Sequence, residues 1–161
     1  MMLPDATVRF LEAAARLGLD PAIHHFPDGT KTSADAAAAV GCELSAIAKS
    51  LVFMADDQPV VAILSGDRRV DPAKLAAVVG AESARRATLD EARHATGYAA
   101  GGTPAFGYPA PVPVVIDRAL FRHDEVWSAA GTPTTVYPIE LAALVAASAA
   151  QVVDVALEES T

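Results

Sequence analysis

AIAKSLVFMADDQPVVAILSG, residues 46–66, decides the fold. Two apolar runs of strand length, 49–55 and 60–65, flank Asp-Asp-Gln-Pro at 56–59. Acidic residues followed by proline suit a turn, so the stretch predicts an antiparallel hairpin. Just downstream, Asp71 and Pro72 form a helix start: an aspartate cap with proline at the first helical position. That helix runs to about Val79 and stops at Gly80. Upstream, Ser33 is placed to cap a helix through alanines 36–39 to Gly41. Before it, residues 5–18 carry helical spacing at Val8, Leu11, Ala15 and Leu17, and residues 22–26 read as a short strand.

Further downstream, Thr88-x-x-Glu91 has capping-box spacing. Residues 97–113 form an elaborated loop holding Gly97, Gly101, Gly102 and Gly107 with Pro104, Pro109, Pro111 and Pro113. Residues 114–117, 126–129 and 134–137 read as strands. A helix is expected over 138–147, then a closing strand or helix end over 152–156. Hairpins and helices mix without regular alternation, which favours an α+β fold over a doubly wound parallel sheet. No repeat or linker divides the chain, so one domain over residues 1–161 is expected.

Composition excludes several classes. At 161 residues with 52% hydrophobic content, the chain can bury a core, and disorder is ruled out. No apolar run approaches the ~20 residues of a spanning helix, so no membrane partner is expected. The net charge of -8 speaks against a broad nucleic-acid coat. It leaves room for a pocket that grips one end of an RNA with a few local cations. One cysteine, Cys42, makes no internal disulfide and points to a reducing compartment. The first residues lack the basic-then-apolar pattern of a signal peptide, which makes the cytoplasm the expected location.

Few residues offer chemistry. Lys49 enters an apolar strand, and two readings are open: a snorkelling side chain, or a fixed cation at a pocket mouth suited to phosphate. The glycines of GYAAGGTPAFGYP, 97–109, allow close backbone approach to a ligand, and their N–H groups can stabilise an oxyanion; a plain turn is the other reading. The string is neither a dinucleotide-binding fingerprint nor a P-loop. His24, His25, His94 and His123 show no ligand spacing, so no metal and no cofactor is expected. Cys42 reads as an inert thiol, and no nucleophile elbow is present.

Taken together and in order, AIHHF, TSADAAAAVGCELSAIAKSLVF, LSGDRRVDPAKLAAVVGAE, TGYAAGGTPAFGY, VPVVIDRAL and VWSAAGTP resemble the YbaK/prolyl-tRNA-synthetase-associated editing-domain family. The resemblance covers roughly residues 20–155. It implies a mixed, largely antiparallel, partly barrel-like sheet flanked by helices. It also implies hydrolysis of mischarged aminoacyl-tRNA in trans at the 3′-terminal adenosine, most naturally on tRNA for proline. The 3′ end of aminoacyl-tRNA is the implied partner, with prolyl-tRNA synthetase as a further one.

Residue by residue, the resemblance gives Lys49 a hold on the terminal adenosine through phosphate. Gly101 and Gly102 position the ester and water, and Thr103, Pro104 and Phe106 continue that loop. His25 and Phe26 fall at the pocket mouth, where Phe26 either stacks on adenine or packs in the core. Ala129, Ala130 and Gly131 fall on a small-residue pocket wall. Asp117 either orients the loop or caps a turn. The family loop reads Gly-Gly-x-x-Pro-x-Gly, whereas here Ala105 stands at the proline position and Pro104 precedes it. That departure keeps a second reading open: a non-catalytic module of the same fold that binds tRNA, a synthetase or a nucleotide. With no nucleophile–base pair in view, catalysis is expected from water positioning and oxyanion stabilisation.

Overall fold

The computed structural model describes residues 2–30 and 32–158. Its elements in chain order are α1 (Asp5–Arg16), β1 (His24–His25), α2 (Ser33–Val40), β2 (Ile47–Ala55), β3 (Gln58–Ser65), α3 (Pro72–Val79), β4 (Ala84–Arg86) and α4 (Leu89–Thr96). After the long loop come β5 (Val114–Asp117), β6 (Glu125–Ala129), β7 (Thr135–Glu140), α5 (Leu141–Ser148) and β8 (Gln151–Val153). The strands form one mixed sheet in the order β1-β7-β6-β2-β3-β5-β8, with β4 paired separately to β2. The architecture is α+β, as expected from the mixture of hairpin and helix signals.

The hairpin turns more tightly than the Asp-Asp-Gln-Pro reading implied. Ala55 pairs with Gln58, leaving Asp56 and Asp57 as the connection. Asp56 takes φ 52, a region aspartate tolerates better than most residues. Its carboxylate accepts from the N–H groups of Glu82 and Ser83, which brings β4 beside the end of β2. This short strand has no sequence signal of its own. β3 is buried on both faces, matching its unbroken apolar run. Val61 and Ile63 face a core shared with α1, α4 and α5, while Val60, Ala62 and Leu64 face α3 and the 155–156 segment. A third, smaller cluster packs Ala36 and Ala37 of α2 on Ile47 and Trp127.

Several boundaries differ from the sequence expectation. Thr32, rather than Ser33, caps α2, its hydroxyl accepting from the Asp35 N–H. The helix expected over 138–147 begins only at Leu141, because β7 continues through Pro138 to Glu140. Proline is tolerated there for a geometric reason. The Thr135 carbonyl accepts from Ala130 in the β6 direction, so by alternation the Pro138 nitrogen faces the opposite edge. β1 pairs with Thr135 and Val136 on that edge, and among the described residues no strand there needs a donor from residue 138. The Asp71 cap with Pro72, and the Thr88–Glu91 capping box, are present as read.

Candidate functional site

The site arises from a break along β2. One edge of β2 pairs with β3 continuously, from Ala48↔Ser65 to Ala55↔Gln58. The other edge is divided. β6 pairs in parallel with Ile47 and Ala48 alone, and β4 pairs antiparallel with Phe53, Met54 and Ala55. Among the described residues, 49–51 have no strand partner on that side, and the Val52 carbonyl accepts from the Ala87 N–H where the pairing resumes. The Val61 N–H donates to Pro113 toward β5, so alternation turns Ala62 and Leu64 toward their β2 partners Leu51 and Lys49. Ser50 therefore presents its main-chain N–H and C=O to the gap. Its hydroxyl is buried there without a partner among the described residues, a position that calls for water or a ligand.

A cavity of about 180 Å³ fills this gap. Lys49, Ser50 and Leu51 line it from β2, Arg86 from β4, and Trp127, Ser128 and Ala129 from β6. Gly101 and Thr103 reach it from the long loop, Ala36 from α2, and Thr30 and Thr132 complete the wall. Ile47 and Phe53 share a face of β2 with Lys49, whereas Ala48 and Val52 share the opposite face with Ser50. The cavity thus passes between strands and draws on both faces of the sheet.

Lys49 is half-buried and forms no ion pair among the described residues. Burial, followed by the positive charges of Arg86 and Arg69, holds its ammonium below the ordinary lysine range, and Asp67 opposes this. Asp67 is itself engaged by Arg122 at 3.0 Å. The result is a patch of excess positive charge at one cavity of an acidic chain, suited to a phosphate.

The glycine loop is held tightly. A Cβ at Gly102 would lie 2.5–2.7 Å from backbone atoms of Thr132, so only glycine fits against that wall. The Gly102 N–H is committed to the Ala99 carbonyl at 3.1 Å. The N–H groups of Gly101 and Thr103, both lining residues, have no partner among the described residues. Behind the wall, the Thr132 hydroxyl bonds those of Thr134 and Thr135, and Thr135 bonds Thr7 of α1.

Of the residues singled out from sequence, Lys49, Gly101, Thr103 and Ala129 come together around the cavity. Gly102 backs it. Ala130 is buried with its N–H on Thr135, and Gly131 turns the chain at φ 105 against the Ala6 backbone. Phe106 packs in the core with its ring 5.1 Å from Phe10, and the Pro104 carbonyl accepts from Tyr108. Ala105 is fully buried in that core, so the departure from the family loop lies behind the lining rather than in it. Asp117 caps a turn, accepting from Ala119, and also accepts from Val155, tying the C-terminal segment to β5. His25 pairs with Thr135 in β1, and the Phe26 N–H bonds Thr134; neither lines the cavity. Cys42 is half-buried, and burial pushes its thiol up.

Sequence reasoning missed Ser50, Arg86 and Trp127. Trp127 packs on α2 and meets His24 edge-on at 4.9 Å. As the sole tryptophan, it was the one residue of the three that composition could have flagged. Arg86 had no signal, since β4 is defined only by its pairing. Among the described residues no three His, Cys, Asp or Glu side chains converge as a metal site requires.

Residues 27–147 match the model of the aminoacyl-tRNA editing domain family, and the chain belongs to it. It is 37% identical over 92 residues to a proline–tRNA ligase of Streptococcus thermophilus, a match covering 57% of this chain. It spans only 15% of that ligase. It is 32% identical over 111 residues to YwhH, an uncharacterized Bacillus subtilis protein, covering 68% of this chain and 70% of the relative. A solved structure described as that of a candidate trans-editing enzyme for prolyl-tRNA synthetase superposes with a TM-score of 0.92 at 35% identity. That match covers 98% of this chain and 100% of the other.

Proposed function

We propose that the protein, as one domain over residues 1–161, is a trans-editing hydrolase that deacylates mischarged aminoacyl-tRNA, with tRNA for proline as its first substrate. Family membership supports the reaction class. The observation that carries the site is the cavity at the β2 break, where an unpaired lysine, unpartnered loop N–H groups and a free strand edge converge.

Water adds to the ester carbonyl carbon, forming a C–O bond. The carbonyl electron pair moves onto oxygen, and the N–H groups of Gly101 and Thr103 are placed to hold that charge. Collapse breaks the bond to the ribose oxygen, which takes up the proton lost by water. Free amino acid and intact tRNA leave. Lys49 holds the phosphate on the 5′ side of the terminal adenosine, and Gly102 keeps the loop against Thr132. An ester is reactive enough for positioning to suffice. The neighbouring hydroxyl of the terminal ribose assists the attack, so replacing it with hydrogen should nearly abolish turnover while binding persists. The cytoplasm, where aminoacyl-tRNA is used, is the proposed location, and prolyl-tRNA synthetase the proposed source of substrate. A synthetase pocket separates amino acids differing by one methylene by only ~1–3 kcal/mol, which leaves errors for a second sieve.

The deciding experiment offers tRNA for proline charged with alanine, cysteine or serine and follows release of the amino acid. Accelerated release from at least one supports the deacylase. Tight binding with no release from any would replace it with the non-catalytic module.

A further inference from the structure

A second hollow, of about 260 Å³, adjoins the first. Ser50, Leu51, Arg86 and Thr103 line both, so Arg86 stands at the waist between two chambers. The outer chamber is walled by the start of α4 and by the loop at Ala100, with Leu89 on its rim. Leu89 is 75% exposed, a large apolar side chain left facing solvent beside a hollow.

Arg86 and its neighbour are used in opposite ways. Arg85 is spent on structure, its guanidinium making two 2.8 Å bonds to the Glu91 carboxylate. Arg86 pairs with no carboxylate among the described residues, and its charged group only overlies the Phe53 ring at 5.9 Å. An exposed arginine that lines both hollows, with its fork on no carboxylate among the described residues, is suited to bidentate contact with a phosphate. Two chambers joined at one such cation match two nucleosides joined by one phosphodiester.

We propose that the outer chamber receives the penultimate nucleotide of the RNA 3′ end, with Arg86 on the phosphodiester linking it to the terminal adenosine. The inference rests on the deacylase reading, which places that adenosine in the first cavity. Leu89 offers its apolar surface to the penultimate base, and Lys49 meets the same phosphate from the inner side.

The test compares two small substrates carrying the same amino acid: 3′-aminoacyl cytidylyl-adenosine and 3′-aminoacyl-adenosine. The readout is the ratio of their kcat/KM values. The native protein should favour the dinucleotide about a hundredfold or more, because Lys49 and Arg86 both hold the phosphate that the nucleoside lacks. Arg86→Gln should lower the ratio about tenfold, leaving the share that Lys49 supplies through the same phosphate, and Leu89→Glu, at an exposed position, should lower it in the same direction. A native ratio near one, or a ratio untouched by Arg86→Gln, overturns the proposal. So does a Leu89→Glu variant that changes amino-acid preference instead, since the chamber would then hold the amino-acid side chain. If the native protein hydrolyses neither these nor any mischarged tRNA, the deacylase reading fails. Calorimetry with uncharged cytidylyl-adenosine against adenosine then reads the subsite alone: a dinucleotide advantage that shrinks about tenfold in Arg86→Gln upholds it, and equal affinities for the native protein, or an advantage unchanged in Arg86→Gln, remove it.

Discussion

The two edges of β2 carry the same nine residues to opposite ends. Toward β3 the ladder is unbroken, and beyond it Val61 and Ile63 lie fully buried. Toward β6 and β4 the ladder stops after Ala48 and resumes at Phe53. The closed edge converts apolar residues into stability. The broken edge leaves the Ser50 backbone, the Lys49 ammonium and the Ser50 hydroxyl without partners among the described residues. Unsatisfied groups of this kind are costly in a core and useful in a site. One strand can therefore anchor a fold and a pocket at once, provided its two sides are treated differently.

The largest effect expected from breaking this contrast is at Lys49. Lys49→Ala should lower deacylation about a hundredfold, the loss of a charge-assisted contact, with the protein still folded. A folded variant with native rates would remove Lys49 from the site. Next comes the wall. Gly102→Ala must displace the Thr132 backbone and should cost about 2 kcal/mol by urea denaturation, with activity falling as the loop moves. An unchanged midpoint would mean the wall yields. On the closed edge, Ile63→Val should cost about 1 kcal/mol and leave the rate alone. A rate change there would show that the two edges are coupled.

The smallest effect is in pH dependence. The Lys49 ammonium is disfavoured by burial and by neighbouring positive charge, so it loses its proton at lower pH than an ordinary lysine. Raising pH removes the cation. Enzymatic deacylation, corrected for spontaneous ester hydrolysis, should therefore decline on the alkaline side before the ordinary lysine range is reached. Lys49→Arg should move that decline upward, because guanidinium keeps its charge. Identical profiles for the two proteins would sever the link.

Legibility followed the range of the interactions. The Asp71–Pro72 start and the Thr88–Glu91 box were readable because each is closed by atoms within three or four residues. The helix expected at 138 was misjudged because proline there is permitted by the absence of a neighbour across the sheet, which no local pattern encodes. Lys49 stood out as a charge in an apolar run. Arg86 did not, for β4 exists only because Asp56 holds the Glu82–Ser83 backbone beside β2.

By itself, the sequence determined the hairpin, the capped helices, the class of fold and the family pieces that point to aminoacyl-tRNA. These rest on local propensity and on apolar patterning, both written in consecutive residues. Only the tertiary structure decided where β6 ends and β4 begins along β2, and therefore which backbone groups stay open and which arginine faces the gap. Strand pairing across tens of residues sets that boundary, and its outcome depends on every neighbour in the sheet rather than on the strand that carries it.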